Sequence, residues 1–136
     1  LIAQQNIFIS CAAVADYRPK TVSSSKIKRV ESELNIELEA TADIAAELGR
    51  RKAAHQLLVG FALETNNGAA NAKAKLEKKN LDFIVLNSLE DSGAGFGVDT
   101  NKITIIDRNN KIEEYPLKSK LEVAKDIVVK LSELLP

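Results

Sequence analysis

Four short apolar runs, at residues 7–9, 57–61, 83–86 and 103–106, constrain the fold of this 136-residue chain more than any other feature. They are rich in Ile, Val, Leu and Phe, and most are continuous rather than alternating. Continuous apolar strands are buried on both faces, the habit of a parallel sheet covered by helices. The spacers carry helical patterns. Asp43 can cap a helix whose apolar face uses Ile44, Ala45 and Leu48. That helix ends near Gly49 or the Arg50-Arg51-Lys52 run, where cations suit the negative end of the dipole. Residues 69–79 predict an alanine- and lysine-rich helix. Residues 119–134 predict a last helix with Leu121, Ala124, Ile127, Val128, Leu131 and Leu134 on one stripe, packed on the sheet. Residues 34–38 alternate as a half-exposed strand does, and 107–110 with 112–115 predict a hairpin; both are expected as additions at a sheet edge. The whole reads as one α/β domain over residues 1–136, a doubly wound, mostly parallel sheet with a small antiparallel edge addition. Ligands of such sheets sit beyond the carboxyl ends of strands, and Ser10, Phe61 and Asn87 fall near such ends.

Composition narrows the function classes. With 45% apolar residues, a chain of this length buries a real core. Nineteen acidic residues balance nineteen basic ones, so no global field recruits nucleic acid or an anionic membrane, and any polyanion is a local guest. Cys11 is the sole cysteine, which excludes an internal disulfide framework and fits a reducing cytoplasm. His55 is the sole histidine, with no cysteine or acid cluster at zinc spacing. No apolar run approaches the roughly twenty residues of a membrane span, and no signal segment opens the chain. Residues 1–5, beginning at Leu1, read as the tail of an earlier connection, so a longer parent protein is expected.

The candidate site follows the first run. The sequence Ser10-Cys11-Ala12-Ala13-Val14-Ala15-Asp16 gives small walls and then a carboxylate, and Lys26-Ile27-Lys28-Arg29 follows within a loop's reach. Small walls, one acid and nearby cations suit a magnesium-bound triphosphate: the acid holds metal or ribose while ammonium groups neutralise phosphate oxygens. By residue type alone, small residues at a strand end are more often packing, and a lysine cluster is more often a solvated face. Gly93-Ala94-Gly95-Phe96-Gly97 is not a dinucleotide fingerprint, because it leads into a strand instead of opening a helix after the first one.

The segment from Ile9 to Pro19 resembles the signature of phosphopantothenoylcysteine synthetase, the CTP-dependent ligase of bacterial coenzyme A biosynthesis. The resemblance continues through Asp43-Ile44, Val59-Gly60-Phe61-Ala62, Glu64-Thr65-Asn66, the Lys75 to Asp82 block, Asn87, and Gly95-Phe96 through Asp99, in family order and over essentially the whole chain. It implies a Rossmann-like fold in which Ser10, Cys11 and Ala12 run along the nucleotide and Ala13 lines the region where the acyl-cytidylate reacts. Cys11 is expected to be a small buried wall residue. Asp16 is implied as a nucleotide or magnesium ligand. Lys26 matches the lysine of a mobile flap that stabilises charge as pyrophosphate departs. Ala42, Asp43, Ile44 and Ala45 match the stretch that reads the cytosine edge, although Thr41-Ala42 stands where the family has asparagine-proline. Phe61 is implied as a pocket wall, and Lys75 and Lys79, four apart on one helix face, as phosphate or nucleotide contacts.

The partners implied are CTP, 4'-phosphopantothenate and cysteine, in a homodimer. Magnesium comes with CTP, and flavin mononucleotide belongs only to a fused decarboxylase outside this chain. The family's preceding portion, with its glycine-rich phosphate loop, has no counterpart here. A non-catalytic nucleotide-binding or dimerisation fragment is therefore the main rival. A nicotinamide-dependent oxidoreductase is a weaker one, since the glycine fingerprint is missing.

Overall fold

The computed structural model describes residues 4–29, 33–64, 67–88, 93–94 and 97–135. Expectations that fall on Leu1, on Thr65-Asn66 and on Gly95-Phe96 lie outside these residues. The elements are β1 (Ile7–Ser10), β2 (Tyr17–Pro19), β3 (Leu38–Ala40), α1 (Ile44–Arg51), β4 (Leu57–Glu64) and α2 (Gly68–Lys78). They continue with β5 (Phe83–Ser88), β6 (Thr100–Asn101), β7 (Ile103–Asp107), β8 (Ile112–Glu114), β9 (Lys118–Ser119) and α3 (Lys120–Leu134).

Five strands form the main sheet in the order β1-β4-β5-β7-β8. β1 and β5 both run parallel to β4, with Ser10 opposite Gly60 and Phe61 opposite Val85. Side chains alternate across the sheet into two cores. On one face Leu57, Val59, Phe83, Val85, Ile103 and Ile105 pack against Val123, Ile127 and Leu131 of α3. On the other, Leu58, Ala62, Ile84 and Ile106 pack against Ala72 and Leu76 of α2, with Leu48 of α1 beside them. The sheet is thus covered by helices on both faces, as the apolar runs require. No helix among the described residues is long and apolar enough to cross a membrane.

Four expectations are corrected in detail. The run at 103–106 is buried on both faces but joins antiparallel to β5, with Phe83 opposite Asp107. A parallel return takes a crossover of about a dozen residues, usually helical, and between β5 and β7 the described residues carry only the short β6. The 7–9 run is only partly covered: it has β4 as its one partner in the sheet, and Ile9 is 46% exposed. The strand expected at 34–38 forms instead at β3, which pairs with β2 as a separate ribbon rather than at the edge of the main sheet. The hairpin does form, as β7 and β8 at the sheet edge, with Asn110 in the left-handed region of its turn and the Asp107 carboxylate accepting from the Asn109 and Lys111 amides.

The fourth correction concerns α3. Its buried positions are Val123, Ile127, Lys130 and Leu131, while Leu121, Ala124 and Val128 face outward. The seam includes a lysine because Lys130 Nζ meets the carboxylates of Glu113 at 2.5 Å and Asp107 at 3.5 Å. Burial pushes the Lys130 pKa down, but Glu113, Asp107 and Glu133 outweigh it and the net direction is up. The helix start is fixed by a reciprocal cap, with Ser119 Oγ accepting from the Glu122 amide and Glu122 accepting from the Ser119 amide.

The two helices on the other face meet end to end. A side-chain carbon at Gly49 would overlap the Lys79 carbonyl, and Asn80 Nδ2 donates to the Gly49 carbonyl at 2.8 Å. This close approach sets where Lys79 stands relative to α1. Gly49→Ala is expected to lower stability by about 3 kcal/mol, at the upper end of overpacking costs, as a reduced urea midpoint. An unchanged midpoint would show that the two helices do not pack this tightly.

Candidate functional site

The parallel strands put their carboxyl ends on one edge of the sheet, and two clefts open there, both bordered by Phe61. The first, about 180 Å³, brings together Ser10, Ala12, Asp16, Ala42, Asp43, Ile44, Ala45, Phe61, Lys75 and Lys79. These come from the end of β1 and the loop after it, from within β4, from the approach to and start of α1, and from α2 and its C-cap. The second, about 370 Å³, holds Cys11 and Ala13 and shares Ser10, Ala12 and Phe61 with the first. Together they fall within the roughly 300–1,000 Å³ usual for small-molecule sites.

Local hydrogen bonds explain how a loop and a helix end are held side by side. Thr41 Oγ1 donates to the Ala15 carbonyl at 2.6 Å, and the Thr41 amide donates to the Asp16 carbonyl at 2.9 Å. These two bonds tie the Asp16 loop to the residue two before the α1 cap. Asp43 Oδ1 accepts from the Ala46 amide at 3.0 Å, which makes Asp43 the N-cap expected from the sequence. Its other oxygen lies 3.2 Å from Lys79 Nζ. The Ala46 amide, opposed in part by burial and aided by Lys79, holds the Asp43 carboxyl below its ordinary value of 3.8.

Lys75 is held in a similar way. Its Nζ lies 2.6 Å from Glu64 Oε1, and Glu64 Oε2 accepts from Asn71 at 2.9 Å. The Lys75 bond, then the Asn71 bond, draw the Glu64 carboxyl below its usual range despite some burial. An anion entering the cleft competes with Glu64 for Lys75 and with Asp43 for Lys79. Asp16, exposed at the mouth, carries no side-chain hydrogen bond or ion pair to another described residue.

Two expected residues depart from their expected setting. Lys26 lines neither cleft; it lies exposed in the loop after β2. Cys11 lines the second cleft but is exposed rather than a buried wall. The second cleft also contains residues that the sequence did not single out, Asn101 and Lys120. Asn101 ends β6 and Lys120 follows β9, two strands too brief to leave a periodic signal.

Comparison with known proteins now fixes the lineage. A family model described as DFP, the DNA/pantothenate metabolism flavoprotein C-terminal domain, matches residues 1–135. The chain belongs to this family. It is 58% identical over 129 residues to a protein named "Cysteine/Cysteine sulfinic acid decarboxylase" from an unknown prokaryotic organism, covering 95% of this chain and 36% of that protein. It is 45% identical over 129 residues to the "Coenzyme A biosynthesis bifunctional protein CoaBC" of Bacillus subtilis, covering 95% of this chain and 32% of that one. The crystal structure of the C-terminal domain of a CoaBC protein superposes with a TM-score of 0.76 at 37% identity, over 98% of this chain and 56% of that domain. The DFP chain thus spans about a third of the length of these curated relatives. The resemblance to the synthetase portion of CoaBC and the Rossmann-like α/β class are both borne out.

The charge on Asp43 stabilises the folded DFP domain above 3.8, and that contribution is lost as pH falls through its lower folded value. Asp43→Asn keeps a cap acceptor but removes the charge. The variant is expected to unfold at lower urea than the parent at neutral pH and at the same urea well below 3.8. A difference that persists in acid would assign the loss to geometry instead.

Proposed function

We propose that the chain forms the CTP-binding part of a phosphopantothenate–cysteine ligase, acting in the cytoplasm as a homodimer. The carrying observation is the pair of clefts that meet along Ser10, Ala12 and Phe61. Two substrates seated in them would touch at the strand end. In the reaction, the carboxylate of 4'-phosphopantothenate attacks the α-phosphorus of CTP, forming an acyl-cytidylate and releasing pyrophosphate. The amine of cysteine then attacks the acyl carbon and releases CMP, giving an amide. No covalent enzyme intermediate is needed, so positioning and charge stabilisation carry the rate.

Each residue has a role in this reading. The start of α1, with Ala42, Asp43, Ile44 and Ala45, offers backbone groups that can match the edge of cytosine. Thr41 holds the Asp16 loop against that helix end. Ser10, Cys11 and Ala12 allow close approach, Phe61 divides the nucleotide side from the acyl side, and Ala13 lines the acyl side. Lys75 and Lys79 exchange their carboxylate partners for phosphate oxygens. Magnesium would arrive with the triphosphate, neutralising its charge, and Asp16 would hold it. The fit rests on chemistry: magnesium commonly takes one or two carboxylates plus phosphate oxygens, and no cluster of three ligating residues occurs among those described. Lys26, on its exposed loop, reaches an active site only when that loop closes, in its own or a neighbouring subunit.

A second reading, a binding or dimerising module that needs an upstream segment for turnover, is favoured by one feature. Among the described residues, Lys75 and Lys79 are the two cations that line the first cleft, few for a triphosphate. Pyrophosphate release by this chain alone, compared with the chain plus its upstream segment, separates the two readings.

Lys26→Ala is expected to slow acyl-cytidylate formation far more than it weakens CTP binding, because a closing cation acts in the transition state. Lys75→Ala is expected to weaken CTP binding about tenfold, the value of one charge-assisted contact. Rapid-quench assays with calorimetry measure both. Equal losses in binding and turnover for Lys26→Ala, or unchanged CTP affinity for Lys75→Ala, would overturn the respective role.

A further inference from the structure

Within the second cleft, a short relay of hydrogen bonds fixes the direction of one side chain. The Lys102 backbone amide donates to Asn101 Oδ1 at 3.0 Å. A backbone N–H can only donate, so the Asn101 oxygen is assigned by chemistry. Its Nδ2 must then be the donor to Asn87, and it meets Asn87 Oδ1 at 3.0 Å. That leaves the Asn87 NH2 group turned away from Asn101. Asn87 is half-buried on β5 and lines the cleft with Ala13, Phe61 and Lys120.

We infer that Asn101 is a positioning residue: it locks the Asn87 carboxamide so that its NH2 donates into the second cleft, which makes the cleft selective for an acceptor oxygen. Without the lock, the Asn87 amide can present either its oxygen or its nitrogen to the cleft, since the two ends have nearly the same shape. With it, a carbonyl, carboxylate or phosphate oxygen is favoured and a ligand N–H is rejected, because two donors or two acceptors facing each other leave buried polar groups unpaired. Lys120, at the first turn of α3, adds a cation to the same wall. β6 holds Asn101 in place through its pairing with β9, in which Asn101 lies opposite Lys118. Under the ligase reading on which this rests, the acceptor oxygen belongs to the acyl substrate and not to CTP.

Asn101→Asp reverses the lock. An aspartate only accepts, so Asn87 must turn its NH2 toward residue 101 and its oxygen toward the cleft. In the full-length protein, kcat/KM for phosphopantothenate is expected to fall by about fivefold to tenfold, the value of one net hydrogen bond. CTP affinity and thermal stability should change little. Asn101→Ala should produce a similar loss in the parent and almost none in an Asn87→Ala background, since the two act as one unit. Equal losses in both backgrounds, or a matching loss in CTP affinity, would overturn the assignment. Nuclear magnetic resonance of 15N-asparagine protein tests the orientation whether or not the protein ligates. The Asn87 NH2 protons should exchange quickly with water in the parent and slowly in Asn101→Asp, and the same rate in both would refute the lock. If the parent forms no amide, the ligase reading fails, while the exchange rates still decide the orientation.

Discussion

The parallel pairing of β1 and β5 onto β4 is the constraint on which the rest depends. Parallel strands with buried faces must all end on the same edge, and helices must cover both faces. The carboxyl ends of β1, β4 and β5 therefore point to one edge, and Ser10, Phe61, which lies within β4 rather than at its end, and Asn87 border the same pair of clefts from distant parts of the sequence. Gly60 sits at this rim with no room for a side chain: an added carbon would lie 2.6 Å from Leu81 Cδ1. Gly60 thus borders the first cleft with Leu81 packed close against it.

Charge is divided between the two ends of the sheet. Just before β5, the buried Asp82 carboxylate, which lines neither cleft, accepts from the Leu58 amide at 2.7 Å, pairs with Lys52 and meets Arg108 at 2.7 Å. Such pairs stabilise little by themselves, but removing one partner strands a buried charge and costs about 3–5 kcal/mol. They fix β4, β5 and the β7–β8 turn in relation to one another. At the rim the ion pairs are more exposed: the Lys75 and Lys79 side chains are 44% and 28% accessible, so water and an incoming anion can displace their carboxylates at low cost. The same chemistry serves as a brace at one end and as an exchangeable contact at the other.

The class of fold and most of the rim were legible in the sequence, because apolar continuity, the Asp43 cap and the small-residue run each report local physics. Strand direction was not. The run at 103–106 is as apolar as its neighbours, and continuity records burial without recording which way the chain returns. The seam of α3 was misjudged because Lys130 belongs to it through Asp107 and Glu113, residues distant in sequence. Hydropathy alone places Leu121 and Val128 in it, although both are more than half exposed. Cys11 reads as buried for its size and type, whereas among the described residues it is exposed at the second cleft. Asn101 escaped notice because its importance lies in a chain of donors and acceptors, which no spacing rule encodes.

The central claim is that the rim between β1, β4 and α1 binds cytidine nucleotide selectively. The most direct test is the thermal stability of this chain with magnesium and CTP, ATP or UTP. CTP at a hundred times its dissociation constant should stabilise the fold by about 2.7 kcal/mol, which raises the midpoint by roughly 10 °C for a domain of this size, while ATP and UTP leave it nearly unchanged. Equal shifts with all three nucleotides, or none with CTP, would contradict the account.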